Sequence, residues 1–455
     1  MKKKRSLMIF TRDLRLYDNV TLASAAEDAE SVLPLFVFKD KQIKESKNPY
    51  FSSPGFLFLL DSLDDLSTQL HKKNKELYFY KGDYDIAIET AHKHHGITDV
   101  YISEDVTPYA KQRQETLQDT CDELDITLHV IHNHFLTKPG SVCTGEGKMY
   151  QVFTPFKSKA REQDVPKPVS EIDGSLYATS DHFNESFCDL VERPNIEIPF
   201  TGGRGEGLKQ FEYVQELSNY KEERDFMHKA GTSKLSPHMK FGTISPREFY
   251  HEIAQRFGPG HTLITELYWR DFYAHLAYAH PYVFGNSFDE KYQGLEWEDA
   301  PTDLQSWKDG MTGYPIVDAG MRQLNTTGWM HNRARMITAS FLTKHLLIDW
   351  REGEQYFAQK LVDYDPATNN GSWQWAASTG ADAQPYFRIF NPWTQQEKFD
   401  KDCNYIREYV PELAELSNKE IHNYMDAKEA PKGYVLPMIE HKEGRERALE
   451  RFKSL

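Results

Sequence analysis

Between Gly313 and Asp400 the chain gathers tryptophans, arginines, carboxylates and paired asparagines into one run, a mixture that a structural core does not require. Trp329-Met-His-Asn-Arg-Ala-Arg-Met336 places Asn332 and Met336 one helical turn apart, with Arg333 and Arg335 on adjacent faces. Asp363-Tyr364-Asp365 and Asn369-Asn-Gly-Ser-Trp-Gln-Trp375 follow. Each piece has an ordinary reading. Asp363 and Asp365 can cap helices, Asn370-Gly371 is a turn dipeptide, and Trp297, Trp350 and Trp373 can serve as core. Upstream, Thr265–Tyr273 reads TELYWRDFY, and in a helix Glu266, Trp269, Arg270 and Tyr273 share a face. A surface Glu–Arg pair beside a buried tryptophan accounts for that pattern. So does recognition of a flipped base, with the aromatic stacking and the polar pair meeting the base edge. In Gly231–Gly242, GTSKLSPHMKFG, the hydroxyls of Thr232, Ser233 and Ser236 precede Pro237. Helix-terminal amides with such hydroxyls make a phosphate cradle; an N-cap explains Ser236 at least as well.

The elements that must position these residues fall into two kinds. Ser6–Phe10 and Val32–Phe38 are short apolar runs suited to a buried parallel sheet, and Leu77–Tyr80, Asp99–Ile102 and Thr127–Ile131 are further strands. Helical spacing separates them at 19–29, 83–95 and 107–123, and Ser53 with Pro54 opens a helix carrying Phe56, Leu57, Leu60, Leu63 and Leu66. This alternation predicts a doubly wound α/β domain over 1–135. It contains no GxGxxG and no P-loop. Residues 136–207 read as a long connector, more ordered near Tyr150–Lys159 and without periodicity across 162–200. From Leu208 helical patterns dominate, so a larger all-α domain is expected over 208–455.

At 455 residues the chain is too long for one core. It has no apolar run long enough to span a membrane. Lys2, Lys3, Lys4 and Arg5 are followed only by Ser6–Phe10 before Arg12 and Asp13, so the start reads as a solvated terminus and not a secretion signal. Cys121, Cys143, Cys188 and Cys403 lie far apart, which suits reduced thiols in a cytoplasmic protein, and no metal spacing occurs among the 18 histidines. A net charge of −15 argues against a protein that coats nucleic acid. A local basic groove remains compatible with it, because the field at a cleft depends on the charges nearby.

Taken together, the motifs identify a resemblance over essentially the whole chain. RDLRLYDN (Arg12–Asn19), TSKLS (Thr232–Ser236), TGYPIVDAGMRQL, GWMHNRARM, LIDWREGEQYF, NNGSWQWAASTGADAQPYFRIFNP and EKFD are similar to the photolyase/cryptochrome family, and specifically to its class I cyclobutane pyrimidine dimer photolyases. The resemblance implies FAD, in its reduced form, held in the helical domain. Tyr220, Thr232, Ser233, Lys234, Leu235 and Ser236 match the phosphate and ribityl contacts. Trp329, Arg335, Asp363, Tyr364 and Asp365 match the segments beside the isoalloxazine, with Arg335 the ionic partner of Asp363. Asn369 falls where photolyases place the asparagine facing flavin N5, and plant-type receptors carry Asp there. A neutral amide tolerates an anionic reduced flavin, whereas a carboxylate opposes it.

The implied reaction is light-driven electron donation to a flipped-out cyclobutane dimer in ultraviolet-damaged DNA. In that reading Glu266 bonds the base edge, Trp269 and Trp375 are apolar walls, and Asn332 and Met336 touch the lesion. Arg224, Arg270, Arg333 and Gln395 clamp the strand, and Trp297, Trp350 and Trp373 relay electrons, with Trp373 nearest the flavin. An antenna chromophore is expected in the first domain. The Asn…Glu pair of methenyltetrahydrofolate binders is missing beside Tyr109 and Ala110, while Asp40 and Asp105 suit deazaflavin, although the basic residues that deazaflavin binders carry after Asp40 are not obvious; flavin mononucleotide and an empty pocket are the alternatives. A monomer, with no metal and no membrane association, completes the expectation. The alternatives are a blue-light receptor without repair and an enzyme for the pyrimidine–pyrimidone photoproduct; the latter has a histidine pair where this chain has His331–Asn332.

Overall fold

The computed structural model describes residues 4–183 and 185–455, so Lys2 and Lys3 of the basic start lie outside the described residues. Five strands, β1 (Lys4–Phe10), β2 (Ala29–Phe38), β3 (Tyr78–Lys81), β4 (Asp99–Ser103) and β5 (Thr127–Ile131), form one parallel sheet in the order β3-β2-β1-β4-β5. Helices α1 (Val20–Ala26), α2 (Ser53–His71), α3 (Tyr84–His95) and α4 (Pro108–Glu123) occupy the crossovers. The strand order reverses between β1 and β4, which is the doubly wound arrangement that the alternation predicts.

Both faces of the sheet are covered, and that explains why β1 reads as one apolar run. Leu7 and Ile9 enter a cluster with Tyr84 and Ile88 of α3 and Leu117 of α4. Met8 and Phe10, pointing the other way, join Leu22 of α1 and Leu60 and Leu63 of α2. The start of α2 differs from expectation by one residue. Ser52, not Ser53, is the N-cap: its side chain accepts the Gly55 amide at 2.9 Å, which leaves Ser53 as the first helical residue.

The connector carries one helix that matters below, α5 (Phe153–Ala160). Beyond it come α6 (Ser236–Phe241), α7 (Thr262–Ala279), α8 (Asn332–Ser340), α9 (Trp350–Lys360) and α10 (Pro366–Ala377), among other helices. Contacts divide the chain into two compact units. One comprises 1–196, 200–215 and 233–281, and so contains the sheet together with α5, α6 and α7. The other comprises 197–199, 216–232 and 282–455, with α8, α9 and α10 around a core of Trp307, Trp350, Trp373, Phe357 and Leu342. Packing therefore groups α6 and α7 with the sheet, whereas element type groups them with the later helices. No helix among the described residues is long and apolar enough to cross a membrane.

Candidate functional site

In the first unit, the polar residues of RDLRLYDN are spent internally. Asp13 accepts the Ser103 hydroxyl at 2.5 Å and the Thr11 amide at 2.8 Å, and burial raises its pKa. Asp18 pairs with Arg247 at 3.1 Å and bonds Ser245; both it and Arg247 are almost fully buried. Arg15, fully buried, donates to Asn133 Oδ1 at 2.9 Å and to the Gly242 carbonyl at 2.9 Å. Burial lowers its pKa to about 10, so it stays charged at neutral pH. With the Leu14 amide bonded to the Phe241 carbonyl at 3.1 Å, this loop grips the C-terminal end of α6. Gly242 is required at that contact, since its φ is +67° and a Cβ would lie 2.1 Å from the Arg12 carbonyl oxygen.

The other end of α6 is the serine-rich segment. Ser236 is its first residue and not its N-cap. That place belongs to Leu235, which makes no side-chain cap bond, so the capping account of Ser236 does not hold. Lys234 adopts φ +49°, the Ser233 carbonyl accepts Gln210 Nε2 at 2.8 Å, and the Lys234 and Ser236 side chains are exposed.

Glu266, Trp269, Arg270 and Tyr273 do share helix α7. Glu266 and Trp269 are half-buried, and the Trp269 ring lies flat on Phe153 of α5 with centroids 3.5 Å apart. Arg270 donates to the backbone carbonyls of His134 and Met239 and lies over the Phe135 ring at 4.8 Å, so the structure gives its guanidinium internal partners. Asp271, on the same helix, accepts the Thr137 amide and hydroxyl, each at 2.8 Å, and burial raises its pKa to about 6.

In the second unit, Arg335 grips Asp363 with one nitrogen at 2.8 and 3.1 Å from the two carboxylate oxygens, and its Nε holds the Met330 carbonyl at 2.8 Å. Asp363 is therefore not a cap. Asp365 is: its side chain accepts the Thr368 amide at 3.0 Å and starts α10. Asn370-Gly371, a turn by its dipeptide, lies inside that helix. Asn369 Nδ2 donates to the Glu354 carbonyl at 3.0 Å. Asn370 Nδ2 donates to Glu354 Oε1 at 2.9 Å and to the Val283 carbonyl at 3.0 Å. Glu354 is buried without an ion pair among the described residues, and burial pushes its pKa up to about 7. Because only the amide nitrogen can donate to a carbonyl, the Asn369 orientation is fixed and Oδ1 is left as an acceptor.

Trp373 and Trp350 are buried and Trp297 is half-buried, its ring 6.4 Å from Phe452. Gly353 admits Trp373, since a Cβ there would sit 2.1 Å from its ring. Asn332 Nδ2 lies 3.8 Å from Met336 Sδ, as the one-turn spacing requires. Arg333 pairs with Asp225 at 2.8 Å and covers Phe399, and Arg224 lies over the ring of buried Tyr220. Gln395 Oε1 is buried without a hydrogen-bond partner. Trp329 is buried, while Thr232, Tyr364 and Trp375 are half-buried.

Past the C-terminal ends of β4 and β5, where open parallel sheets bind ligands, buried Glu104 Oε2 and His132 Nδ1 face each other at 3.9 Å without a hydrogen bond, and on α4 the buried Tyr109 Oη and Arg113 Nε also lack hydrogen-bond partners. Burial raises the Glu104 pKa and lowers that of His132 to about 4. Asp105 pairs with Arg12 at 3.2 Å, and Asp40 is held by Lys44 and Lys47, which lower its pKa to about 2. Among the described residues no group of His, Cys, Asp and Glu is placed to hold a metal ion.

Two sites escape a reading of the sequence. Glu354 announces itself only by falling on the apolar stripe of α9, four residues after Trp350 and three before Phe357. Phe153 lies in the part of the connector that reads as more ordered, Tyr150–Lys159, but nothing local marks its partner Trp269, far along the chain.

Residues 263–454 match the FAD binding domain of DNA photolyase, and residues 6–171 match DNA photolyase. The deoxyribodipyrimidine photo-lyase of Salmonella typhimurium is 38% identical over 98% of both chains. The structure is similar to an archaeal photolyase from Sulfolobus tokodaii with two FAD molecules, at TM-score 0.89 and 37% identity over 99% of this chain and 100% of that one. It is also similar to a bacterial class III photolyase from Agrobacterium tumefaciens, at TM-score 0.90 and 34% identity over 100% and 98%.

Proposed function

We propose for this chain, which belongs to the photolyase/cryptochrome family, the activity of a deoxyribodipyrimidine photo-lyase: light-driven repair of pyrimidine dimers in DNA. The dimer is the cyclobutane type and the enzyme of class I. Bound FAD, reduced and excited by blue or near-ultraviolet light, supplies the electron that opens the cyclobutane ring and receives it back.

The observation that carries this reading is the fixed amide of Asn369. Its nitrogen is committed to the Glu354 carbonyl, so it presents a neutral acceptor, suited to the N5–H of a reduced flavin. The neighbouring Glu354 carboxyl, which accepts from Asn370, is pushed up to about 7 by burial, so at neutral pH about half of it is uncharged where an unperturbed glutamate would be fully ionised. Both features favour a reduced, anionic flavin over the oxidised form, and they support repair over the receptor function. The Arg335–Asp363 pair, with Trp329, Tyr364 and Asp365, is assigned to the isoalloxazine; Tyr220 and Thr232–Ser236 are assigned to the phosphates and ribityl chain.

Glu266 is assigned to the dimer's base edge, Trp269 and Trp375 to apolar contact, and Asn332 and Met336 to the lesion. Arg224, Arg333 and Gln395 are the strand contacts. Arg270 joins them only by giving up the His134 and Met239 carbonyls. The rise in burial from Trp297 to Trp350 and Trp373 supports a relay that carries electrons inward from the solvent side towards the flavin. In the antenna role we place a deazaflavin, with a second FAD, as in the Sulfolobus protein, the competing candidate. The buried polar atoms without hydrogen bonds beyond β4 and β5 support a ligand there, and mass spectrometry of the chromophore released on denaturation decides between the two. The remaining assignments are 1–135 as antenna domain, 136–207 as connector and 208–455 as catalytic domain, in a cytoplasmic monomer.

The test is direct. Protein with reduced flavin is mixed with ultraviolet-damaged oligothymidylate, and thymine absorbance is followed under blue light and in the dark. Light-dependent recovery is the expected result. No recovery with reduced flavin bound refutes cyclobutane repair.

A further inference from the structure

We propose that Phe153 is a positioning residue for lesion recognition, holding the Trp269 indole in a single orientation before DNA arrives; this rests on the assignment of Trp269 to the lesion. Phe153 and Phe156 are three residues apart in α5 and so project from one face of it. Phe156, fully buried, packs against Phe272 and His275 of α7 with ring centroids 5.3 and 5.0 Å apart. Phe153, itself buried, lies on Trp269 with centroids 3.5 Å apart and ring planes 9° from parallel. Two aromatic rings left to themselves prefer an offset or edge-to-face arrangement. The face-to-face stack is therefore imposed by the docking of α5 through Phe156.

The consequence is specific. Trp269 is half-buried, with one face closed by Phe153, so a base can stack only on what remains. A free surface tryptophan would lose rotamer freedom on stacking, and that loss would weaken binding. Here the freedom is already gone. The segment that reads as a connector thus sets discrimination between a flipped dimer, which reaches Trp269, and undamaged DNA, which does not.

The test compares holoenzyme variants Phe153→Ala, Phe153→Tyr, Trp269→Ala and the Phe153→Ala/Trp269→Ala double variant. It measures FAD content and affinity for matched duplexes with and without one thymine dimer. Phe153→Ala is expected to keep its FAD and its affinity for undamaged duplex, and to lose about 3- to 10-fold in affinity for the dimer. Phe153→Tyr, which retains the flat ring, should restore the dimer affinity. In the Trp269→Ala background, Phe153→Ala should have no further effect. Equal losses on both duplexes, or additive losses in the double variant, overturn the proposal. So does normal dimer binding by Phe153→Ala when Trp269→Ala loses it. If Trp269→Ala itself binds the dimer normally, the lesion role of Trp269 fails, and the positioning role with it. Should Phe153→Ala not fold, Phe153→Leu keeps an apolar side chain, removes the flat ring, and is read in the same way.

Discussion

Replacing Glu354 by glutamine should stabilise the protein in a way that depends on pH. Glu354 is 4% exposed, and the side chain that donates to its carboxyl, Asn370, is neutral. Burial moves its pKa from the usual 4.5 to about 7. Below about pH 4.5 the carboxyl is protonated in both folded and unfolded chains, and its titration contributes nothing to stability. As pH rises from there to about 7, the unfolded chain releases the proton while the folded chain retains it, so stability falls. Above about 7 the full loss is present. The gap between 4.5 and about 7 corresponds to on the order of 3 kcal/mol. Glutamine keeps an oxygen for Asn370 and never ionises. Glu354→Gln should therefore melt close to wild type at pH 5 and several degrees higher at pH 8, since each kcal/mol is worth about 2–4 °C in a unit of this size. Thermal melts of wild type and variant, loaded equally with FAD, between pH 5 and 8.5 give the comparison. A melting difference that does not change with pH would refute a neutral buried carboxyl at this position.

Two further outcomes separate the assigned roles. Glu266→Ala should retain FAD but bind the dimer about tenfold more weakly and repair fewer dimers per absorbed photon, as expected for losing a hydrogen bond to a charged group; loss of FAD instead, measured by absorbance after gel filtration, would show that Glu266 belongs to the cofactor site. Trp373→Phe should abolish photoreduction of the oxidised enzyme, followed by flavin absorbance under illumination with an external donor, while chemically reduced enzyme still repairs; persistent photoreduction would exclude Trp373 as the first relay.

How far the sequence discloses this molecule depends on whether a residue's partners are local. The strands are legible because a parallel sheet buried on both faces demands unbroken apolar runs, as in Leu7–Phe10. The start of α2 is ambiguous by one residue because Ser52 and Ser53 can each cap, and only the Gly55 amide chooses. Asn370-Gly371 misleads for a different reason. Its turn propensity is overridden by the buried Val283 carbonyl and Glu354 carboxyl, partners far away in sequence. The helical faces of Glu266–Tyr273 and Asn332–Met336 follow from spacing alone. That Arg270 turns inward to carbonyl oxygens while Glu266 and Trp269 stay half-exposed does not, because those carbonyls belong to the loop after β5 and to α6.

RDLRLYDN shows the same limit from the opposite side. It is among the motifs by which the chain is placed in its family, and two arginines with two aspartates invite a catalytic reading. Yet Asp13, Arg15 and Asp18 are at most 1% exposed, and each is answered by a named neighbour: Ser103, Asn133, Arg247. Removing one member of such a buried pair leaves the other charge unsatisfied, at a cost of about 3–5 kcal/mol. That penalty alone is enough to make the segment intolerant of change without any contact to a substrate. Its contribution to function is indirect: it fixes the end of α6, whose other end begins at Ser236. A motif that is diagnostic of a family can therefore be diagnostic of its bracing, and side chains for the chemistry must be sought where polar atoms remain open, which is the ground of the proposal for Asn369 Oδ1.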